Sequence, residues 1–133
     1  MKIALSLDKD RIAPVFDVAQ DCICYEISQE TVNSAVRLAI TRNDNSDESI
    51  LRLAEEGVEI LICGAISRQL QLLAENNGIM VAGFLTGQIS EILATFLGQK
   101  PGKLSDFVMP GCRHRVFRQN RQRLRKNCRF QSS

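Results

Sequence analysis

Five cysteines and a single histidine are the residues of this 133-residue chain best suited to soft-ligand chemistry. Cys112, Arg113 and His114 run together near the C-terminus, and Cys128 lies fourteen residues beyond the histidine. Thiolate and imidazole suit zinc, copper and iron–sulfur chemistry. Three such ligands fall one short of a closed tetrahedral site. A fourth would come from Cys63, from Cys22 or Cys24, or from another subunit. The arginines around Cys112 lower a thiol pKa and draw in anions. They would draw nucleic acid phosphates equally well, although only Phe117 and Phe130 stand nearby as stacking aromatics. An odd number of cysteines, with no secretory leader before them, argues against a disulfide framework and for free thiols in a reducing compartment.

A second set of candidates lies where strands run into helices. In an open α/β sheet, ligands gather at the carboxyl ends of parallel strands, against helix N-termini that favour anions. Three such ends are legible: residues 6–11, Cys63 to Ser67, and residues 83–88. Gly64 would let backbone come close to a ligand, Ser67 and Thr86 would open helices, and Arg11 and Arg68 would add positive charge. The plainer reading is that Cys63-Gly64 only makes a tight strand-to-helix turn, and spacing alone favours it. No phosphate-cradling or dinucleotide glycine pattern is present. With His114 as the only histidine, no Ser/His/Asp or Cys/His arrangement can form on the core. Asp8, Asp10 and Asp17 are not spaced convincingly for two-metal work. A non-enzymatic role is the expectation.

These residues need a scaffold, and the hydrophobic pattern supplies one. Ile3 to Leu7 reads as a strand, and Lys9 to Ala19 as a loop containing Pro14. Cys22 to Ile27 alternates as a second strand, residues 28–30 turn, and Thr31 to Thr41 is a third strand. The period then changes to that of helices. Asn45 with Glu48 fits a capping box for a helix carrying Ile50, Leu53 and Ala54, closed by Gly57. Val58 to Cys63 is a buried strand. Ser67 caps a helix with Leu70, Leu73 and Ala74, and Ile79 to Ala82 is the last strand. Thr86-Gly87 opens a helix with Ile89, Ile92, Phe96 and Leu97. The order β-β-β-α-β-α-β-α implies parallel strands joined by right-handed crossovers, with helices on both faces of the sheet.

The domain is expected to span residues 1–102, with Leu104, Phe107 and Val108 able to pack back on it, and 103–133 forms a basic tail. That tail carries nine bases and one acid, a net of +8; residues 1–102 carry the remaining eight bases and fourteen acids, a net of −6. A terminal block of like charge is characteristic of interaction segments. Val116, Phe117 and Leu124 would give any tail helix only a thin apolar face, so disorder or conditional helicity is expected there. The composition, 44% hydrophobic and 24% charged, is that of a soluble globular chain. No stretch approaches the ~18 apolar residues of a membrane span. MKIALSLDKD has too short an apolar run for a leader, so the cytoplasm is the expected compartment.

The segments MKIALSLD, RIAPVFDVAQDCICYEI, LICGAISRQLQLLAENNGIMV and GQISEILATFL together resemble the dinitrogenase iron–molybdenum-cofactor-binding family, the NifX and NifB-C-terminal type of nitrogenase accessory protein. The resemblance covers roughly residues 1–100. It implies a ribonuclease-H-like three-layer α/β/α fold whose five-stranded mixed sheet has order 3-2-1-4-5, strand two antiparallel. It also implies binding or transfer of an iron–molybdenum or other metal–sulfur cluster, with a donor or acceptor protein as partner. Two features depart from the family pattern. Val15-Phe16-Asp17 stands where relatives often have His-Phe-Gly, and the basic tail lies outside the common domain. The leading expectation is a carrier whose anionic cluster sits near Arg11, Cys63, Gly64, Ser67 and Arg68, with Cys112, His114 and Cys128 as further metal ligands. The alternative is a module that docks nucleic acid or an acidic protein through the tail.

Overall fold

In the computed structural model, which describes residues 1–39, 46–99 and 101–109, the first element is β1 (Lys2–Asp8). It folds back over Lys9 and Asp10 into a short strand, β2 (Arg11–Ile12). Then come a 3-10 turn at Phe16–Val18 and the hairpin of β3 (Asp21–Ser28) and β4 (Thr31–Ala39). Helices and strands alternate from there: α1 (Ser46–Glu55), β5 (Ile60–Ile62), α2 (Arg68–Asn76), β6 (Met80–Ala82) and α3 (Ile89–Phe96). A final 3-10 turn covers Leu104–Phe107.

The sheet runs β4-β3-β1-β5-β6, with β2 paired to β1 off this path. β1, β5 and β6 are parallel, while β3 is antiparallel to both β1 and β4. Leaving aside the two-residue β2, this is the expected order 3-2-1-4-5 with its second strand reversed. The side-chain period of two splits the apolar residues between two cores. Ala4, Cys22, Cys24, Leu61 and Cys63 face one side, where α1 contributes Ile50 and Leu53 and α2 contributes Leu70 and Ala74. Ile3, Leu5, Ile27, Ile60 and Ile62 face the other, under Ile89 and Ile92 of α3. The result is three layers, α/β/α.

The structure revises several local expectations. The expected loop at residues 9–19 contains β2 because its backbone has partners on two sides. Leu7 pairs with Ile12, and the Ile12 N–H also donates to the Gly87 carbonyl at 2.9 Å. The Ile89 N–H in turn donates to Asp10 O at 2.9 Å. Thr86-Gly87 does not open α3, whose N-cap is Gln88. The expected ends of the third strand at Ile40 and Thr41, and the Asn45 cap of α1, lie outside the described residues. After Gly102 the chain does return to the core. Leu104, Phe107 and Val108 pack against the α3-side cluster, and Val108 bridges to Leu85. No helix among the described residues is long and apolar enough to cross a membrane.

Candidate functional site

The carboxyl ends of β1, β5 and β6 open into three loops that are laced to each other. The Ala13 N–H donates to Ser6 O at 3.1 Å, the Ala65 N–H to Pro14 O at 2.8 Å, and the Phe16 N–H to Ala65 O at 2.7 Å. The Phe84 N–H donates to Gly64 O at 2.8 Å and the Leu85 N–H to Cys63 O at 3.0 Å. Residues 13–16 thus lie along 64–65, and 84–85 lie on their far side. Gly64 is buried at the centre of this lacing. A Cβ there would overlap the Ala13 and Pro14 carbonyls, so the close approach that its lack of a side chain permits is to the chain's own backbone.

The helix ends at this face are already engaged. Ser67 caps α2, its Oγ accepting from the Leu70 N–H at 3.3 Å. The Ser67 N–H itself donates to Asp17 Oδ1 at 3.0 Å. The carboxylate of Asp17 therefore occupies part of the position where an external anion was expected. Before α3, the Thr86 N–H donates to Phe107 O at 2.7 Å. Phe107 also presses on Gly87, where a Cβ would lie 3.1 Å from Phe107 Cδ1. Between these ends, Phe84 has φ +61°, a conformation that a bulky side chain rarely adopts. It is pinned on both sides, donating its N–H to Gly64 O and accepting from the Met109 N–H at 2.8 Å.

Arg11 and Arg68 are both exposed, Arg11 in β2 opposite Asp8 and Arg68 at the first residue of α2. With Lys9 they place three bases on this rim, against the three acids Asp8, Asp10 and Asp17. The rim carries no net formal charge.

The cysteines of the folded part turn inward. Cys22, Cys24 and Cys63 are free and buried, with Cys63 0% exposed. Burial pushes the Cys63 thiol well up, and the nearby Asp17 carboxylate pushes it further. Burial likewise raises Cys22, with Cys24, Cys63 and Asp21 adding to it. Cys24 is pushed up to about 11 by burial, with Lys2 opposing and Glu56 adding to it. Ser6 pairs with Cys22, and the parallel register Leu5↔Ile62 sets Cys63 one residue on, at its other side. The Ser6 Oγ between them is buried without a hydrogen-bond partner. Among the described residues no three His, Cys, Asp or Glu side chains converge as a metal site. Cys112, His114 and Cys128 lie outside the described residues.

The structure thus gathers Arg11, the Cys63-Gly64 backbone, Ser67 and Arg68 around one face, and buries the Cys63 thiol beneath it. The Asp17 contact had no counterpart in the reading of helix starts. Its one sequence signal is an acid, and the helix it serves begins fifty residues further on.

A family model described as "Dinitrogenase iron-molybdenum cofactor" matches residues 1–99. Solved structures share the fold. One crystal structure whose name states no activity superposes with a TM-score of 0.70 at 19% identity, over 75% of this chain and 91% of that chain. A Methanocaldococcus jannaschii protein, assigned provisionally as a dinitrogenase, gives 0.61 at 19% identity over 74% and 89%. A Thermotoga protein, assigned provisionally to NifB, gives 0.55 at 22% identity over 83% and 98%. No curated protein sequence matches the chain.

Proposed function

The chain belongs to the dinitrogenase iron–molybdenum cofactor family, and on that premise we propose that it is a non-enzymatic carrier of an anionic metal–sulfur cluster, iron–molybdenum or related. The observation that carries this reading is the extent of the family match. Residues 1–99 include the loops at the carboxyl ends of all three parallel strands. Function in α/β sheets concentrates at such ends. The cargo would rest on that face, over the Cys63-Gly64 backbone and Ser67, with Arg11 and Arg68 screening its charge from the rim. Cys112, His114 and Cys128 are the further thiol and imidazole ligands. The free thiols of Cys22, Cys24 and Cys63 suit the reducing cytoplasm. A donor or acceptor protein in cluster assembly is the expected partner.

Anaerobic reconstitution of the full chain with ferrous iron, molybdate and sulfide tests the reading. After desalting, metal and sulfide should remain with the protein in a fixed ratio, with charge-transfer absorption in the visible. Protein that retains no metal would overturn it.

A further inference from the structure

We infer that residues 101–109 form a detachable strap over the loop that follows β6, and that its release opens the strand-end platform to the cargo. The gating role rests on the carrier reading and adds to it the step that admits the cargo.

The strap lies along the loop as a short antiparallel ladder. The Met109 N–H donates to Phe84 O at 2.8 Å, Val108 bridges to Leu85, and the Thr86 N–H donates to Phe107 O at 2.7 Å. The covered loop is the hub of the face. Its Phe84 N–H donates to Gly64 O, its Leu85 N–H to Cys63 O, and Gly87 O accepts from the Ile12 N–H. The Phe107 ring closes over Gly87, and Leu85 is left 1% exposed. With the strap in place, the polar main-chain groups at Phe84 O and Thr86 N–H are taken.

This cover is separable from the domain beneath it. Its bonds are largely its own: the Asp106 N–H donates to Lys103 O at 2.9 Å, and the Lys103 N–H to Asp106 Oδ2 at 3.0 Å. Both remain intact when the strap lifts. Its hold on the domain is slight. Among the described residues two main-chain hydrogen bonds tie it down, and none of residues 101–109 is buried. The domain is also complete without it. The fully buried residues of the α3-side core run from Ile3 to Leu97, and the family model ends at residue 99. Leu104, Phe107 and Val108 pack against that core only from outside. A segment with few buried contacts and few anchoring bonds opens locally, well before the molecule unfolds. Opening uncovers Leu85, Gly87, Phe84 O and the Thr86 N–H, all beside the Cys63-Gly64 backbone. A closed lid of this kind lowers apparent affinity by the fraction of molecules that are open.

Amide hydrogen exchange on the full chain reads the opening, and tetrathiomolybdate, a preformed anionic metal–sulfur species, reads the gate. The Thr86 and Met109 amides should exchange at least about a hundredfold faster than those of β5. Phe107→Ala with Val108→Ala should speed both by about tenfold more and leave the β5 amides unmoved. The same variant should bind tetrathiomolybdate about fivefold more tightly in equilibrium dialysis. Thr86 and Met109 amides that exchange no faster than those of β5 would overturn the inference, because release would then require global unfolding. So would β5 amides that speed up in step with the other two, which would make the strap part of the core. Equal or weaker binding by the variant, with the amides as expected, would overturn the gating role and leave the carrier reading standing. Tetrathiomolybdate bound by neither wild type nor variant would bring down the gating role and count against the carrier reading as well.

Discussion

Gly64 shows how one missing side chain can organise a face. The residues on either side of it, Cys63 and Ala65, each bond to a different loop, and Gly64 O accepts from a third residue, Phe84. All of this depends on the Ala13-Pro14 backbone lying where a Cβ would be. Because the obstruction is main chain, no rotamer change relieves it. Gly64→Ala should therefore destabilise the fold by ~2 kcal/mol or more, in the range of overpacked cores. A urea titration reads this as a lower midpoint with an unchanged slope. A midpoint equal to wild type would mean that the 13–14 segment is free to move away.

The hairpin of β3 and β4 shows strain of another kind, held in a turn. Gln29 and Glu30 are its two central residues, and both take positive φ, +51° and +62°. Two-residue hairpin loops want such a conformation because it matches the twist of the strands, but Asn-Gly fits it far better than Gln-Glu. The pairing of Ser28 with Thr31, and of the residues behind it, holds the turn in place. Replacing both residues, Gln29→Asn with Glu30→Gly, removes a cost of ~1 kcal/mol per residue. The thermal midpoint should rise by several degrees. A lower midpoint would show that Gln29 or Glu30 makes a contact worth more than the strain.

The whole molecule carries its cysteines in two populations. Those of the domain are sealed between the sheet and the α1–α2 layer, and Cys112 and Cys128 lie outside the described residues. The sealed thiols make global stability depend on pH. Their folded pKa values lie above that of an unfolded cysteine, ~8.5. Below that pH both states are protonated and the stability is fully present. As pH rises past it, the unfolded chain loses thiol protons that the folded chain keeps, so the unfolded state binds fewer protons and stability falls. The fall runs from about pH 8.5 to about 11 for Cys24, and further for Cys22 and Cys63. Burial of Tyr25 raises its hydroxyl and adds in the same direction. Urea midpoints at pH 7.5, 9 and 10, points chosen on the order of that window, should decline in sequence, and Cys24→Ala should flatten the decline. A level profile would mean the thiols open to solvent.

By itself, the sequence determined the layers and the order of the elements, and the family resemblance implied the order of the strands in the sheet. The layers and the elements are legible because they rest on local periodicity: Cys22 and Cys24 alternate toward one core, Leu70 and Ala74 recur at helical spacing toward the same one, and Ser67 stands just before its helix. The candidate face was legible as a place, since strand ends must lie together in a parallel sheet. What occupies that face was not. Whether Gly64 meets a ligand or Ala13, whether Ser67 offers its N–H or gives it to Asp17, and whether Thr86 is open or covered by Phe107 are all set by pairings across 21 to 51 residues. Such pairings depend on the register of neighbouring strands and the course of the loops between them, which hydrophobic period does not encode. The same holds for Cys63, read as a candidate ligand from its place at a strand end. Its direction within the pleat turned it into the core.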